Sequence, residues 1–545
     1  IVPDYHPQNP FGQPVAFFGR AEGNGFPGDP ANTESDTFRF STSLQGVTDT
    51  GFWELSYTRA VNDFVFRVPD VLNTEFQLAL YGLGGSNCDP IAGTPGVGDC
   101  EFFNPFATSY TTAPNSDYVV SSFTGTEVID SKADLEVFEA ITSFDVFEMG
   151  GGFAALALGV QYRENQLSQD YDDLANQDSF TFVIGNPDID GSQDVWAAFG
   201  ELALPINDEL DVQLAVRYED YGGTIGSTVD PKLAISWRAT DEFSLRGSIS
   251  TSFRAPTVFL AQGGATSLQQ LIDPVQGATA FVAVRTSGNE ELKPEESTAY
   301  NIGFSYEPFR DFSVEVDYWN FEFEDLIIQE NAQAVLNEDP TNPDRVIRAG
   351  DPLTGPVLQV NNTYVNASSL ETSGLDFVTS YKIETDFGNF TPTLNATYIT
   401  KYDLMDPQAG NIDGAGRRNF NNIGVSSPEL RANLGLAWQN DIHAANIFLR
   451  YISSYDDDQN CADGNANVGG CSGGYYEVDS HLTVDAQYNI DLGGLYDTEQ
   501  SYVLTLGAIN MFDEEPPQLF TNSGFDSKVH DPRGRQIYAR LAIEF

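Results

Sequence analysis

The stretch ELDVQLAVRYED, residues 209–220, decides the fold. Leu210, Val212, Leu214, Val216 and Tyr218 alternate with Asp211, Gln213, Ala215, Arg217 and Glu219. Successive side chains of a strand point to opposite faces, so this period of two predicts a strand with one apolar and one charged face. The same alternation recurs in EFSLRGSISTSFRAP (242–256), DFSVEVDY (311–318) and HLTVDAQYNI (481–490). Apolar residues at helical spacing are almost absent.

Connections between these segments alternate in length. INDE (206–209), RATDEF (238–243), EPFRDF (307–312), ETDFGN (384–389) and QNDIHA (439–444) are tight turns. Between them lie long stretches rich in Gly, Pro, Asn and Asp, at 61–132, 165–191, 255–295, 325–370, 404–426, 456–475 and 513–532. A compact soluble domain rarely carries so many long loops. If each strand pair is a hairpin, the turns fall at one end and the loops at the other.

A face of Asp, Glu, Arg and Gln cannot be the dry interior of a sandwich, because unpaired buried charge is too costly. The arrangement works inside out. The apolar face meets lipid, the polar face lines a wet lumen, and the sheet must close because every backbone group in lipid needs a partner. Trp53, Tyr57, Tyr162, Trp196, Tyr218, Trp237, Tyr318, Tyr398 and Trp438 fall near strand ends, as an interfacial girdle requires. A soluble β-propeller is the rival, and the absence of a period of about 40–50 residues weighs against it. The expectation is an all-β, antiparallel transmembrane β-barrel. Roughly 17 strands are expected, near 36–46, 50–60, 133–146, 152–164, 192–205, 209–220, 228–238, 243–254, 296–307, 312–324, 371–383, 389–403, 428–439, 443–455, 476–490, 500–512 and 533–545. In the last of these, odd-numbered residues face lipid and even-numbered residues face water.

The 545 residues carry 26 basic and 80 acidic side chains, a net charge of −54. That excludes nucleic acid as a partner, since phosphate binding needs clustered Lys and Arg. It also repels strongly anionic ligands unless arginines are gathered at the site. No run of 18 apolar residues could form a transmembrane helix, and no signal peptide opens the chain. Cys88 and Cys100, and Cys461 and Cys471, form two close pairs in turn-rich segments. Two disulfides in an oxidising compartment explain them better than a metal site, for which only four His are present. His6, His443, His481 and His530 look scattered, and no nucleophile motif or phosphate loop accompanies them, so catalysis is not expected and no cofactor is implied.

Several stretches carry a resemblance. SFRAP (252–256) precedes a long loop and GNEELKPEESTAYNIGFSYEP (288–308). NASSLETSGLDFVTSY (366–381) follows, and NMFDEEPP (510–517) leads to the C-terminal HDPRGRQIYARLAIEF (530–545). NPFG (9–12), DTFRFSTSLQG (36–46) and the segment from Cys88 to Phe106 match an earlier part of the same pattern. In this order they resemble the C-terminal three-fifths of a TonB-dependent outer-membrane receptor of Gram-negative bacteria. The resemblance implies a 22-stranded barrel with long extracellular loops and short periplasmic turns. Residues 1–545 would supply strands 6 to 22, and a plug domain and about five strands would precede residue 1. It implies that the terminal aromatic, Phe545, is the barrel assembly signal.

The function implied is active uptake of a scarce nutrient: a ferric siderophore, haem, cobalamin, or an oligosaccharide or peptide. Partners would be the lipid bilayer with its lipopolysaccharide, the TonB complex through the N-terminal part, the nutrient itself and a surface lipoprotein. A plug-less, receptor-like barrel within a surface assembly is the alternative. Candidate ligand contacts are the loop aromatics and amides Phe102, Phe103, Asn104, Tyr475 and Tyr476, for which loop self-packing is the plainer reading. Asp456, Asp457 and Asp458 in YDDDQN (455–460) could hold a hard cation, or form an ordinary solvated acidic run.

Overall fold

In the computed structural model the described residues are 1–17, 30–106, 115–181, 185–407, 410–418, 426–457, 476–495, 501–519 and 523–544. Twenty-two strands join in one sheet. Five of them lie within connections: Gly264–Asp273, Ala278–Ser287, Val346–Arg348, Ile383–Thr385 and Gly410–Asp413. The other seventeen form the wall. They are β1 (Asn32–Val47), β2 (Gly51–Val71), β3 (Thr124–Met149), β4 (Gly152–Tyr171), β5 (Ile189–Asn207), β6 (Leu210–Asp220), β7 (Ser227–Arg238), β8 (Phe243–Arg254) and β9 (Glu295–Tyr306). They continue as β10 (Phe312–Gln329), β11 (Val357–Tyr381), β12 (Gly388–Asp406), β13 (Leu430–Gln439), β14 (His443–Ile452), β15 (His481–Asp491), β16 (Ser501–Ile509) and β17 (Gln536–Glu544).

Each wall strand pairs antiparallel with the next, in an unbroken meander. Among the described residues, β1 pairs only with β2, and β17 only with β16. Every expected strand has its counterpart. Connections alternate as read, with one exception: β6 and β7 are joined on the long-loop side by only six residues, 221–226.

The two faces obey the alternation. Ile302 is 62% exposed, and Leu214, Val216, Val229, Ile249 and Leu375 are likewise open. Arg163, Arg217 and Glu219, on the opposite parity, are covered or half-covered. An apolar face left this bare is the face that lipid covers. Its aromatic band runs from strand to strand. Ring centroids lie 4.7 Å apart for Tyr57 and Phe138, 6.5 Å for Phe138 and Tyr162, and 4.6 Å for Tyr162 and Trp196. Near the short turns, Trp438, His443 and Tyr488 stack at 6.2 and 5.9 Å. In β17, Ile537, Leu541 and Ile543 are exposed on the odd face, as expected.

The structure extends the sequence reading above the band. β2, β3 and β4 continue well past the expected ends at 60, 133 and 164. At those ends the outward face carries ion pairs, Arg59 with Asp134 at 2.7 Å and with Glu136 at 3.4 Å, and beyond them Arg67 with Glu34 at 3.5 Å. A strand surrounded by water on both sides has no need of an apolar face, so its period-two signal fades. The long connections also fold. They contain short helices, such as Asn73–Leu80 and Ala332–Glu338, and a small sheet in which Ala278–Ser287 pairs parallel to the start of β11. The apolar clusters of buried residues gather on this side of the wall, around Phe103 and Phe123, around Leu271 and Leu336, around Tyr171 and Phe180, and around Tyr455 and Leu519. Among the described residues no helix is long and apolar enough to cross a membrane.

Candidate functional site

Inward-facing positions of β4 to β9 place charged side chains at matching heights. Arg163 and Arg217 converge on Glu219, which is only 4% exposed. Arg163 Nη2 donates to Glu219 Oε2 at 3.0 Å, and Arg217 Nε donates to Oε1 at 2.6 Å. Tyr221 Oη donates to Glu219 Oε2 at 2.6 Å and accepts from Arg163 Nη2 at 2.6 Å. The Arg217 guanidinium also lies 5.3 Å from the Phe199 ring centre, a cation–π contact. One layer down, Arg246 binds Asp317 and, at 2.9 Å, Glu315. One layer up, Arg254 donates to Glu295 at 2.7 Å. Arg163, Arg217 and Arg254 line a cavity of about 580 Å³ together with Tyr221, Asp230 and Phe253, within the usual size of a small-molecule site, and Arg246 borders a separate space. Sequence alternation places Arg163, Arg217, Glu219, Asp230, Arg246 and Arg254 on the polar face. It does not show that the arginines stand side by side, because that depends on the register of separate strands.

The loop residues singled out from sequence are placed as follows. Cys88 and Cys100 form a disulfide. Phe103 is fully buried in the loop core, edge-on to Phe123 at 5.2 Å. Phe102 packs against His6 at 4.9 Å, and Asn104 exchanges hydrogen bonds with Asn115. Tyr476 is half-buried against the Tyr455 cluster. These contacts are loop packing. Cys461, Cys471, Tyr475, Asp458 and Phe545 lie outside the described residues.

Two expectations are corrected. The acidic run is not simply solvated: Tyr455 and Asp457 are buried, Asp457 Oδ1 accepts from Arg418 at 2.8 Å, and Asp456 pairs in a short strand with Glu477. Among the described residues no group of three or more His, Cys, Asp or Glu is arranged to hold a metal. The histidines are not all scattered either. His481 and His530 meet edge to face at 5.1 Å, and His530 Nε2 lies 3.3 Å from Tyr455 Oη. Tyr455 Oη and Ser426 Oγ donate to Asp526 at 3.1 and 2.6 Å. Burial, followed by His481, lowers the His530 pKa to about 4, so this loop histidine is neutral at pH 7.

A further buried acid had no sequence signal. Glu127 lies eleven residues above Phe138 on β3, roughly 36 Å along the strand and clear of the bilayer. It is 1% exposed, and neither carboxylate oxygen has a hydrogen-bond partner. Burial, then Asp172 and Asp70, push its pKa up to about 7.

Comparison with known proteins completes the picture. The family model described as TonB dependent receptor-like, beta-barrel, matches residues 2–511. The protein named Probable TonB-dependent siderophore receptor PirA, from Acinetobacter baumannii, is 22% identical over 402 residues, covering 72% of this chain and 48% of its own length. The chain thus spans about half the length of the curated relative it matches. The solved structure of the siderophore receptor PirA from Acinetobacter baumannii superposes with a TM-score of 0.59 at 17% identity, over 93% of this chain and 62% of that one. A mutant of the ferric enterobactin receptor PfeA from Pseudomonas aeruginosa gives 0.59 at 14% identity, over 94% and 62%. At these identities the structural likeness establishes the fold, a receptor barrel. Receptors of this kind are transporters rather than enzymes, and they sit in the outer membrane of Gram-negative bacteria. The chain belongs to the TonB-dependent receptor family, whose β-barrel it forms.

Proposed function

We propose that this chain is the wall of an importer that takes a ferric siderophore across the outer membrane, driven by TonB. One observation carries the reading beyond the family. In a chain with 26 basic and 80 acidic residues, Arg163, Arg217 and Arg254 line one cavity on the inner side of the wall. Each guanidinium is paired with a carboxylate, so the cluster is close to neutral within an otherwise acidic chain and opposes an anionic chelate less than its surroundings do. The names printed for the relatives above, siderophore and ferric enterobactin receptors, point the same way. Those relatives lend no support to haem, cobalamin, oligosaccharide or peptide as cargo.

In this reading the intact protein has a plug and about five further strands before residue 1. These would pair with the open edge of β1 and close onto β17. The plug part would meet TonB, and a surface lipoprotein could cover the long loops. The test is iron uptake by the intact protein in iron-limited cells. Uptake of a radiolabelled ferric siderophore that requires the gene, and that falls when Arg163 and Arg217 are both replaced by Ala, supports the proposal. An intact mass near 59.6 kDa for the protein purified from outer membranes, with no plug-bearing partner, would instead favour a scaffold.

A further inference from the structure

The wall has a lateral notch. β5 pairs with β4 from Ile189 downward, but β6 reaches it only at Trp196, where Asp220 is the partner. Above that point the chain turns away through 221–226, and among the described residues no strand pairs with the second edge of 189–195, where the side chains of Val258 and Gln262 pack near Gly191. The turn is low because Gly222, Gly223 and Gly226 take φ of 64°, 54° and 74°, a region where a side chain is strained. Helix Val258–Gln262 and Glu290 stand behind it. The space enclosed is about 530 Å³.

Its chemistry differs from that of the lumen. Trp196 stands at the lip, 63% exposed on the outward face, with the Tyr162 ring tilted against it from the neighbouring strand. Two carboxylates flank the ring and are held in place. Tyr162 Oη donates to Asp194 Oδ1 at 3.1 Å, and the Gly222 amide donates to Asp220 Oδ1 at 2.8 Å. Ser192, Gln262 and Glu290 add further hydroxyl, amide and carboxylate groups, and no Lys or Arg lines the space. A phosphate or carboxylate ligand would meet only like charge there. An exposed indole face beside fixed acceptors suits a ring that is apolar on its face and carries hydroxyl donors at its edge.

We propose that this notch binds an uncharged saccharide, with the sugar ring on Trp196 and its hydroxyls donating to Asp194, Asp220 and Gln262. The site faces outward at the upper aromatic band, so the sugar could belong to an outer-leaflet glycolipid or be free in solution. Gln193 and Tyr221 border both this notch and the arginine cavity, but Trp196, Asp194 and Asp220 face outward, and the proposal is independent of the siderophore reading.

The test uses the intact purified receptor in two arms. The first titrates maltohexaose and cellohexaose by calorimetry. The second measures binding to phospholipid vesicles with and without lipopolysaccharide carrying neutral core sugars. Wild type should bind in at least one arm. Trp196→Ala should weaken that binding about tenfold or more, and Trp196→Phe should restore most of it. Gln262→Ala, which leaves the band intact, should weaken it independently. Response in the first arm assigns a soluble saccharide, and response in the second alone assigns a glycolipid headgroup. Absence of binding in both arms, or binding indifferent to both Trp196→Ala and Gln262→Ala, would overturn the proposal.

Discussion

Arg348 and Asp273, 75 residues apart in sequence, form a two-pronged ion pair inside the loop sheet, with contacts of 2.7 and 2.9 Å. The Arg348 side chain is wholly buried, and its remaining donors reach the carbonyls of Pro340 and Gly355 at 2.8 to 3.0 Å. A buried pair this well satisfied pins the small loop sheet beside helix Ala332–Glu338. Arg348→Met should leave a buried carboxylate unpaired and destabilise this loop by about 3–5 kcal/mol. Hydrogen exchange should quicken in 264–287 and 346–363 while β4 to β8 stay protected. The hydrogen bond from Arg348 holds the Asp273 pKa below its ordinary value. Its contribution is therefore complete above the unfolded pKa of 3.8 and is lost only as pH falls below that.

Glu127 should act in the opposite sense. Its folded pKa of about 7 exceeds the unfolded 4.5, so the folded state holds the proton more tightly. Ionising it costs stability that grows from pH 4.5 to 7 and is constant above. Glu127→Gln should stabilise the loop around Tyr171 and Phe180 by about 1–3 kcal/mol at pH 8 and by little at pH 4.5. Melting of the two proteins at both pH values checks this. Equal melting at pH 8 would show that the carboxylate finds a partner in solution.

His530 gives a third pH response. Its folded pKa of about 4 lies below the unfolded 6.5, so stability is intact above pH 6.5 and declines as pH falls toward 4. Acidification from pH 7 to 5 should speed hydrogen exchange near 510–535, and His530→Gln should flatten that response.

The disulfide between Cys88 and Cys100 spans 12 residues of sequence. By loop entropy it contributes about 3 kcal/mol to the 72–123 connection. Replacing both cysteines with Ala should increase proteolysis between 81 and 106 and leave the heat-resistant mobility of the barrel unchanged.

Glu219 organises the arginine cluster. Glu219→Ala should leave Arg163 and Arg217 crowded without a counter-charge and cost about 2–4 kcal/mol locally. Arg217→Ala should weaken ferric-chelate binding about tenfold or more by calorimetry, with unaltered folding by circular dichroism.

Alternation alone determined the wall. Leu214 and Arg217 must face opposite sides of β6 whatever surrounds them, because side-chain direction in a strand is a local property. Turn length added which strands are neighbours. The same signal was silent where strands leave lipid, as at Glu34 and Arg67, since nothing there demands an apolar face. For Phe103 the sequence offered both a ligand contact and loop self-packing, and only the packing of separate loop segments places it in a buried cluster. Only the tertiary structure decided which residues from distant strands meet. Register sets Arg163 and Arg217 on one carboxylate, loop packing brings His481 to His530, and the early end of β6 opens the notch beside Trp196. Such juxtapositions depend on how separate segments are offset against each other, which no local pattern encodes.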